Sequence, residues 1–211
     1  METTARKGIT RPPLNFLSIL NEAGIKIDTS CPDKLCDQLY AGIFLKPKLL
    51  KYFVDKKLNK NCFMLFAREL TIDWGDNSEY WKWTYDKDAS GEDIEVAELL
   101  KICWLKITGM IWTVNLSPGT LYEIIFVVKV KEGSNLSNFS LNLTIIPQHL
   151  EQIIRHHSLK EDALGNWIEI QVGEFKMSPE MVGNMIFHLD ERTPEWKHGL
   201  LVKCAIIRPK N

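Results

Sequence analysis

From about residue 60 onward the chain is a succession of short β-prone runs: CFMLFA, LTIDW, ICWLKIT, MIWTV, LYEIIFVVKV, FSLNLTII, NWIEIQV, NMIFHL and LLVKCAIIR. Turn signals separate them, with TG at 108–109, SPGT at 117–120, EGSN at 132–135 and LGN at 164–166. Many short strands in that rhythm predict a mainly β fold, an antiparallel β-sandwich. Side chains alternate along a strand, so parity assigns faces. In LYEIIFVVKV, Tyr122, Ile124, Phe126, Val128 and Val130 share one face, while Ile125 and Val127 make the other apolar too. Such a strand is central and covered on both sides, by N-terminal helices or by a second subunit. In NWIEIQV, Ile168, Ile170 and Val172 point inward and Trp167, Glu169 and Gln171 outward. Asn142 and Thr144 fall on the wet side of their strand, opposite Leu141, Leu143 and Ile145.

The first part of the chain has a different period. LNFLSILNEAG and PDKLCDQLYAGIFL space apolar residues by three to four and close near a glycine, which predicts short helices. PKLLKYFVDKKL reads as a third helix with a basic face. The organisation expected is a helical N-terminal extension, residues 1–50, ahead of a β domain at 51–211.

At 211 residues, 45% hydrophobic and 25% charged, the composition is ordinary for a water-soluble globular protein. A formal net charge of −1 provides no global field toward nucleic acid or an anionic membrane. No apolar run approaches the roughly 20 residues of a helical membrane span. The start, METTARKGITRPPLNF, has no long apolar stretch, so a secretory signal is not expected. Sequons at Asn115, Asn135, Asn138 and Asn142 are then expected to go unused. The five cysteines, Cys31, Cys36, Cys62, Cys103 and Cys204, lack metal-ligand spacing. Cys103 and Cys204 sit in strand patterns and are expected as buried thiols. Cys31, Cys36 and Cys62 lie in more polar settings, where intermolecular disulfides are open, although a cytoplasmic location favours thiols.

Catalytic signatures are missing from the sequence. There is no G-x-S-x-G, no H-E-x-x-H, no G-x-x-x-x-G-K and no G-x-G-x-x-G. His156 and His157 are adjacent and face opposite ways on a strand. Asp190 and Glu191 are the one acid pair of interest, and adjacent acids at a strand end belong in a solvated turn. No enzyme and no cofactor is expected.

The stretch ELTIDWGDNSEYWKW, residues 69–83, concentrates Trp74, Trp81, Trp83 and Tyr80 around a polar GDNSE loop. Loops at sandwich ends are where such scaffolds carry sites. An aromatic face stacks on the apolar face of a sugar ring, and nearby acids or amides take its hydroxyl hydrogen bonds. Leu70, Ile72 and Trp74 share parity, which puts Trp74 toward the core. Trp81 is therefore expected to be the stacking ring.

CFMLFARELTIDWGDNSEYWKW, EVAELLKICWLKITG, LSPGTLYEIIFVVKV, WIEIQVGEF and EWKHGLLVKCAIIRPK together resemble the phloem protein two family, the plant phloem lectins similar to the tobacco agglutinin Nictaba. The resemblance runs in consistent order over residues 51–211. It implies a β-sandwich of jelly-roll type, often homodimeric. It also implies a non-catalytic lectin of phloem sieve elements and sap, with a place in plant defence, that binds N-acetylglucosamine oligomers, chitin fragments and N-glycan cores. Carried over position by position, it implies a sugar site of Trp74, Trp81, Glu191 and Asn184. The last is a departure, an uncharged amide where the family pattern has an acid. Two other roles occur in the family. RNA binding would draw on Lys46, Lys48, Lys51, Lys56, Lys57 and Lys60 with Tyr52 and Phe53 interleaved. Phloem filaments would be joined through Cys31, Cys36 or Cys62. Trp104 and Trp112, at outward parity, add apolar area for a homodimer.

Overall fold

The computed structural model describes residues 11–13, 15–159 and 164–210. Two antiparallel sheets face one another. Their strands are β1 (Ile43–Lys46), β2 (Leu50–Val54), β3 (Asn61–Phe66), β4 (Thr71–Ile72), β5 (Trp81–Lys87), β6 (Asp93–Leu99), β7 (Leu105–Trp112), β8 (Leu121–Val130), β9 (Ser140–Pro147), β10 (Ile153–Ser158), β11 (Ile168–Lys176), β12 (Asn184–Glu191) and β13 (Leu200–Pro209). Helices α1 (Phe16–Glu22) and α2 (Pro32–Ala41) precede them. The mainly β, antiparallel sandwich expected from the strand rhythm is what forms.

The larger sheet is organised around β13. One edge of β13 pairs along its length with β8, and β11 continues beyond. Its other edge is divided between β3 and β6, from which β2, β1 and β5 extend the sheet. The second sheet runs β10-β9-β12-β7-β4. Alternation fills the space between them. Ile124, Phe126 and Val128 of β8 and Ile170 and Val172 of β11 meet Ile107, Leu143, Met185 and Phe187 of the opposing sheet. Phe126 and Phe187 touch across the gap at 5.6 Å between ring centroids.

The far face of β8 is closed differently from expectation. Ile125 and Val127 pack with Phe53, Met64, Phe66 and Ile206, a small second core made by side chains of the same sheet. Among the described residues no helix residue joins this cluster. The helices instead place Ile19, Leu20, Leu35 and Leu39 in the main core.

The third expected helix is a hairpin. Residues 43–54 form β1 and β2, with Tyr52 opposite Phe63 and Val54 opposite Asn61 of β3. The sequence YFV is β-prone, and pairing with β3 overrides the weak three-to-four spacing. Lys48 makes the turn in the left-handed region, at φ 61°. A buried polar knot ties this end together. Tyr52 Oη donates to Asn61 Oδ1 at 2.8 Å, and Asn61 Nδ2 donates to Asn15 Oδ1 at 2.7 Å and to the Asn115 carbonyl at 2.9 Å. Tyr122 Oη donates to the Asn61 carbonyl at 2.9 Å, and burial pushes that phenol up to about 12.

The TG pair at 108–109 is not a turn. Gly109 lies within β7, where an added Cβ would come 2.2 Å from the Phe187 ring. Here glycine admits a neighbouring aromatic side chain, so ICWLKIT and MIWTV belong to one strand rather than two.

Candidate functional site

The connection from β4 to β5 carries the aromatic cluster, and its backbone is bonded to itself at close intervals. The Gly75 amide donates to the Ile72 carbonyl at 2.9 Å, and the Asn77 amide to the Trp74 carbonyl at 2.9 Å. Asn77 caps the next turn, its Oδ1 accepting from the Glu79 amide at 2.9 Å. Two indoles anchor the loop from below with the same offset. Trp81 Nε1 donates to the Asp73 carbonyl at 3.1 Å, and Trp83 Nε1 donates to the Gly75 carbonyl at 2.9 Å. Two tryptophans two positions apart thus hold two carbonyls two positions apart. Beneath Trp83 the Arg68 guanidinium stacks at 3.5 Å from the ring centroid and also bonds Glu95 at 2.8 Å.

The order of exposure reverses expectation. Trp81 is 2% exposed and belongs to the main core, whereas Trp74 is 66% exposed. Parity fails because β4 ends at Ile72 and Trp74 adopts φ 61°. A left-handed residue turns its side chain off the strand's alternation. The conformation costs an L-residue roughly 1–2 kcal/mol, and a bulky residue there marks strain commonly found at functional sites. Tyr80 supports the ring edge-on, at 6.1 Å and 76°. Open depressions flank the crest. One is lined by Trp74, Gly75, Asp76, Asn77 and Ser78. The other, of about 300 Å³, lies over Trp83 and Lys82 beside Asp76 and Ser78.

Glu191 sits beside this loop but below the surface. It ends β12 opposite Leu105, is 4% exposed, and has both carboxylate oxygens engaged. Oε1 accepts from the Thr193 amide at 3.1 Å, and Oε2 accepts from Thr193 Oγ1 at 3.0 Å and from Lys197 Nζ. Lys197, with no exposed surface, also donates to the carbonyls of Cys103, Thr193 and Glu195 at 2.6, 2.9 and 2.9 Å. Burial draws its amine below the ordinary lysine value. This staple shapes the 191–197 turn that presents Trp196. Spacing alone did not reveal it, because Glu191 reads as part of a solvated acid turn and nothing in the sequence marks Lys197 as its partner. The solvated acid turn expected at Asp190 and Glu191 is therefore corrected. The two acids point to opposite faces and are both buried, and Asp190 pairs with His188 at 3.3 Å and Arg192 at 2.9 Å.

Asn184 lies at the other end of β12, opposite Trp112 of β7. Seven residue steps along the strand separate it from Glu191, roughly 23 Å of chain. Its amide nitrogen in the backbone donates to Gln148 Oε1 at 2.8 Å, and its Oδ1 is buried without a partner among the described residues. The four residues taken from the resemblance thus divide into a crest (Trp74), a foundation (Trp81 and Glu191) and a distant position (Asn184).

The remaining candidates also sort themselves. Among the described residues no group of three or more His, Cys, Asp or Glu is placed to hold a metal ion, and no helix is long and apolar enough to cross a membrane. His156 and His157 lie on β10, with His156 Nδ1 2.9 Å from Asn142 Oδ1. Cys62 is fully buried rather than placed in a polar setting, so it offers no sulfur for an intermolecular disulfide. Cys103 is half-buried, Cys31 is the N-cap residue of α2 and Cys36 lies within that helix. In the lysine cluster Tyr52 is fully buried, and Lys51 is buried against Asp88 at 2.9 Å. Of the two interleaved aromatic residues, Tyr52 is thus withdrawn from the surface and Phe53 is half-buried.

A family model described as Phloem protein 2 matches residues 60–209. The Arabidopsis thaliana protein named PHLOEM PROTEIN 2-LIKE A1 is 39% identical over 204 residues, 95% of this chain and 82% of its own length. A Luffa acutangula protein named Lectin is 40% identical over 192 residues, 89% of this chain and 90% of its own. Among solved structures, a xylan-binding domain from Paenibacillus barcinonensis aligns with 77% of this chain and 93% of its own at 13% identity and a TM-score of 0.38.

Proposed function

The chain belongs to the phloem protein 2 family, and we propose that it is a non-catalytic lectin of phloem sieve elements and sap. Its ligands are N-acetylglucosamine oligomers, including chitin fragments and N-glycan cores. One observation carries the reading: a 66% exposed indole, Trp74, held in a left-handed backbone on a loop anchored by two buried-side indole N–H groups. A stacking surface fixed before the ligand arrives loses little entropy on binding.

In this arrangement Trp74 supplies the sugar-stacking face. Asp76, whose side chain is fully exposed, and Asn77 and Ser78 beside it supply hydroxyl and acetamido hydrogen bonds. Trp81 and Glu191 act beneath the site, holding the loop and its neighbouring turn. The Luffa relative's name supports the lectin class. The finer sugar preference rests on family resemblance and on the aromatic-plus-amide chemistry of the crest.

The test is calorimetric titration with chitotriose. The parent binds, and Trp74→Ala weakens binding by about 0.5–1.5 kcal/mol beyond the lost area while keeping its circular dichroism. Equal binding by the folded variant would remove Trp74 from the site. A glycan array that returns no N-acetylglucosamine ligand would remove the chitin preference.

The same reading includes a homodimer. The outward face of the smaller sheet carries exposed Met110, Trp112 and Ile186 on adjacent strands, with Val114 and Val182 beyond. A second copy of the chain is the proposed cover, and light scattering at micromolar concentration decides between one-chain and two-chain mass.

A further inference from the structure

The β5–β6 hairpin closes through residues 88–92, at the opposite end of β5 from Trp81. The tip reads DASGE, and Asp93 follows it. Residues 89–93 are exposed. Asp88 instead turns inward, its side chain 3% exposed and 2.9 Å from Nζ of Lys51, a β2 side chain only 9% exposed. Asp88 Oδ1 accepts from the Ser90 amide at 2.8 Å, the Glu92 amide at 3.0 Å and Ser90 Oγ at 2.6 Å. Lys51 Nζ in turn donates to Ser90 Oγ at 3.3 Å. An exposed serine therefore carries its hydroxyl oxygen beside a nearly buried ammonium.

That combination meets both needs of a phosphorylated serine. The modifying enzyme must reach the residue, and the product must find a cation. A phosphate brings about 1.5–2 negative charges and three acceptor oxygens, which an ordinary exposed serine leaves to water. Here Lys51 already donates to the oxygen that would be esterified. Its ammonium also lies 5.1 Å over the Phe44 ring, which fixes its place. The charges around the tip are mixed. Asp88, Glu92 and Asp93 oppose a phosphate, while Lys87 pairs with Asp93 and Lys48 of the β1–β2 turn acts on the same carboxylate. Acids two residues before Ser90 and two and three residues after it suit an enzyme whose substrate groove is basic.

We infer that Ser90 is a phosphorylation site for an acid-directed serine kinase, and that Lys51 is the built-in receiver of the phosphate. Ser90 Oγ attacks the γ-phosphorus of ATP, and the bond from that phosphorus to the oxygen bridging the β-phosphate breaks. ADP leaves, and the hydroxyl proton passes to the kinase's catalytic carboxylate. Asp88 loses the hydroxyl as a donor, and Lys51 then lies between two anions, the carboxylate and the phosphate. β2 precedes the residues matched by the family model, and the hairpin lies within them. The modified pair therefore stands at the junction between the N-terminal part of the chain and the family domain. Sugar binding at the other end of β5 plays no part in it.

The full chain is incubated with ATP and purified casein kinase 2, an acid-directed enzyme, and the phosphate is located by peptide mass spectrometry. Ser90 takes up phosphate in the folded parent, and Ser90→Ala, a change at an exposed position, loses that phosphopeptide. Asp93→Asn, which removes the acid three residues on, slows the uptake. Phosphorus NMR then follows the second ionisation of the phosphoserine, ordinarily at about pH 6, in the folded protein and in the same protein unfolded in urea. With Lys51 on the phosphate the folded transition lies at the lower pH, because the ammonium favours the dianion. Absence of phosphate at Ser90 in the parent overturns the site. An unchanged rate in Asp93→Asn overturns the acid-directed recognition. A folded transition at or above the unfolded one means that Asp88, Glu92 and Asp93 prevail, and it overturns the role of Lys51.

Discussion

Trp74 and Trp81 are seven positions apart on one connection, yet one is 66% exposed and the other 2%. The crest of the connection and its foundation are built from the same residue type and do opposite work. At the crest the indole leaves its strand through a left-handed backbone and presents its face outward. At the foundation the indoles spend their one donor on carbonyls of the loop and put their rings into packing. The same division recurs at Glu191, a carboxylate beside this connection whose oxygens are all committed to Lys197 and Thr193. In such a loop the acids and aromatics needed for shape and those that meet a ligand cannot be told apart by residue type.

The division is most sharply tested by removing the foundation. Trp81→Ala is expected to destabilise the protein by about 3–5 kcal/mol, as loss of a fully packed tryptophan does. Glu191→Ala leaves Lys197 buried and uncompensated and is expected to lose a similar amount, about 3–5 kcal/mol. Urea denaturation midpoints at unchanged slope read both. If Trp81→Ala proved as stable as the parent while losing sugar, crest and foundation would have to be exchanged.

At the crest the expected signs differ. Trp74→Gly removes the ring but suits φ 61°. The relief of left-handed strain, roughly 1–2 kcal/mol, is partly offset by glycine's greater unfolded-state freedom, roughly 0.5–1 kcal/mol. Stability should hold or rise slightly, while chitotriose affinity falls by about 0.5–1.5 kcal/mol. A stabilised variant with intact binding would show that the strain at Trp74 serves packing rather than the ligand.

How much of this the sequence disclosed follows from the range of each interaction. Strand rhythm is local, so the antiparallel sandwich, the inward face of β8 and the outward parity of Trp104 and Trp112 were legible. The 43–54 hairpin was not, because its pairing partner β3 overrides an equivocal spacing. Gly109 looked like a turn because its reason, the Phe187 ring, lies on another strand. Parity misplaced Trp74 because alternation assumes an extended chain, and one left-handed residue breaks it. The Glu191–Lys197 staple closes over a turn and three backbone carbonyls, geometry that no spacing rule encodes.

The smallest expected effect concerns the position farthest from the crest. Asn184 was drawn into the site by resemblance alone, and it faces Trp112 at the opposite end of β12. Its side-chain oxygen is a buried acceptor with no partner among the described residues, so it contributes no hydrogen bond whose loss would be felt. The backbone bond from its amide to Gln148 survives any side-chain change. Asn184→Ala should therefore leave chitotriose affinity unchanged and shift stability by no more than about 0.5 kcal/mol, the range of substitutions that remove no named interaction. Asn184→Asp, which restores the acid of the family pattern, should not tighten binding either. A several-fold loss in Asn184→Ala, or a gain in Asn184→Asp, would mean that sugar also travels over Trp112. The smaller sheet's apolar face would then be a binding platform rather than the cover for a second copy.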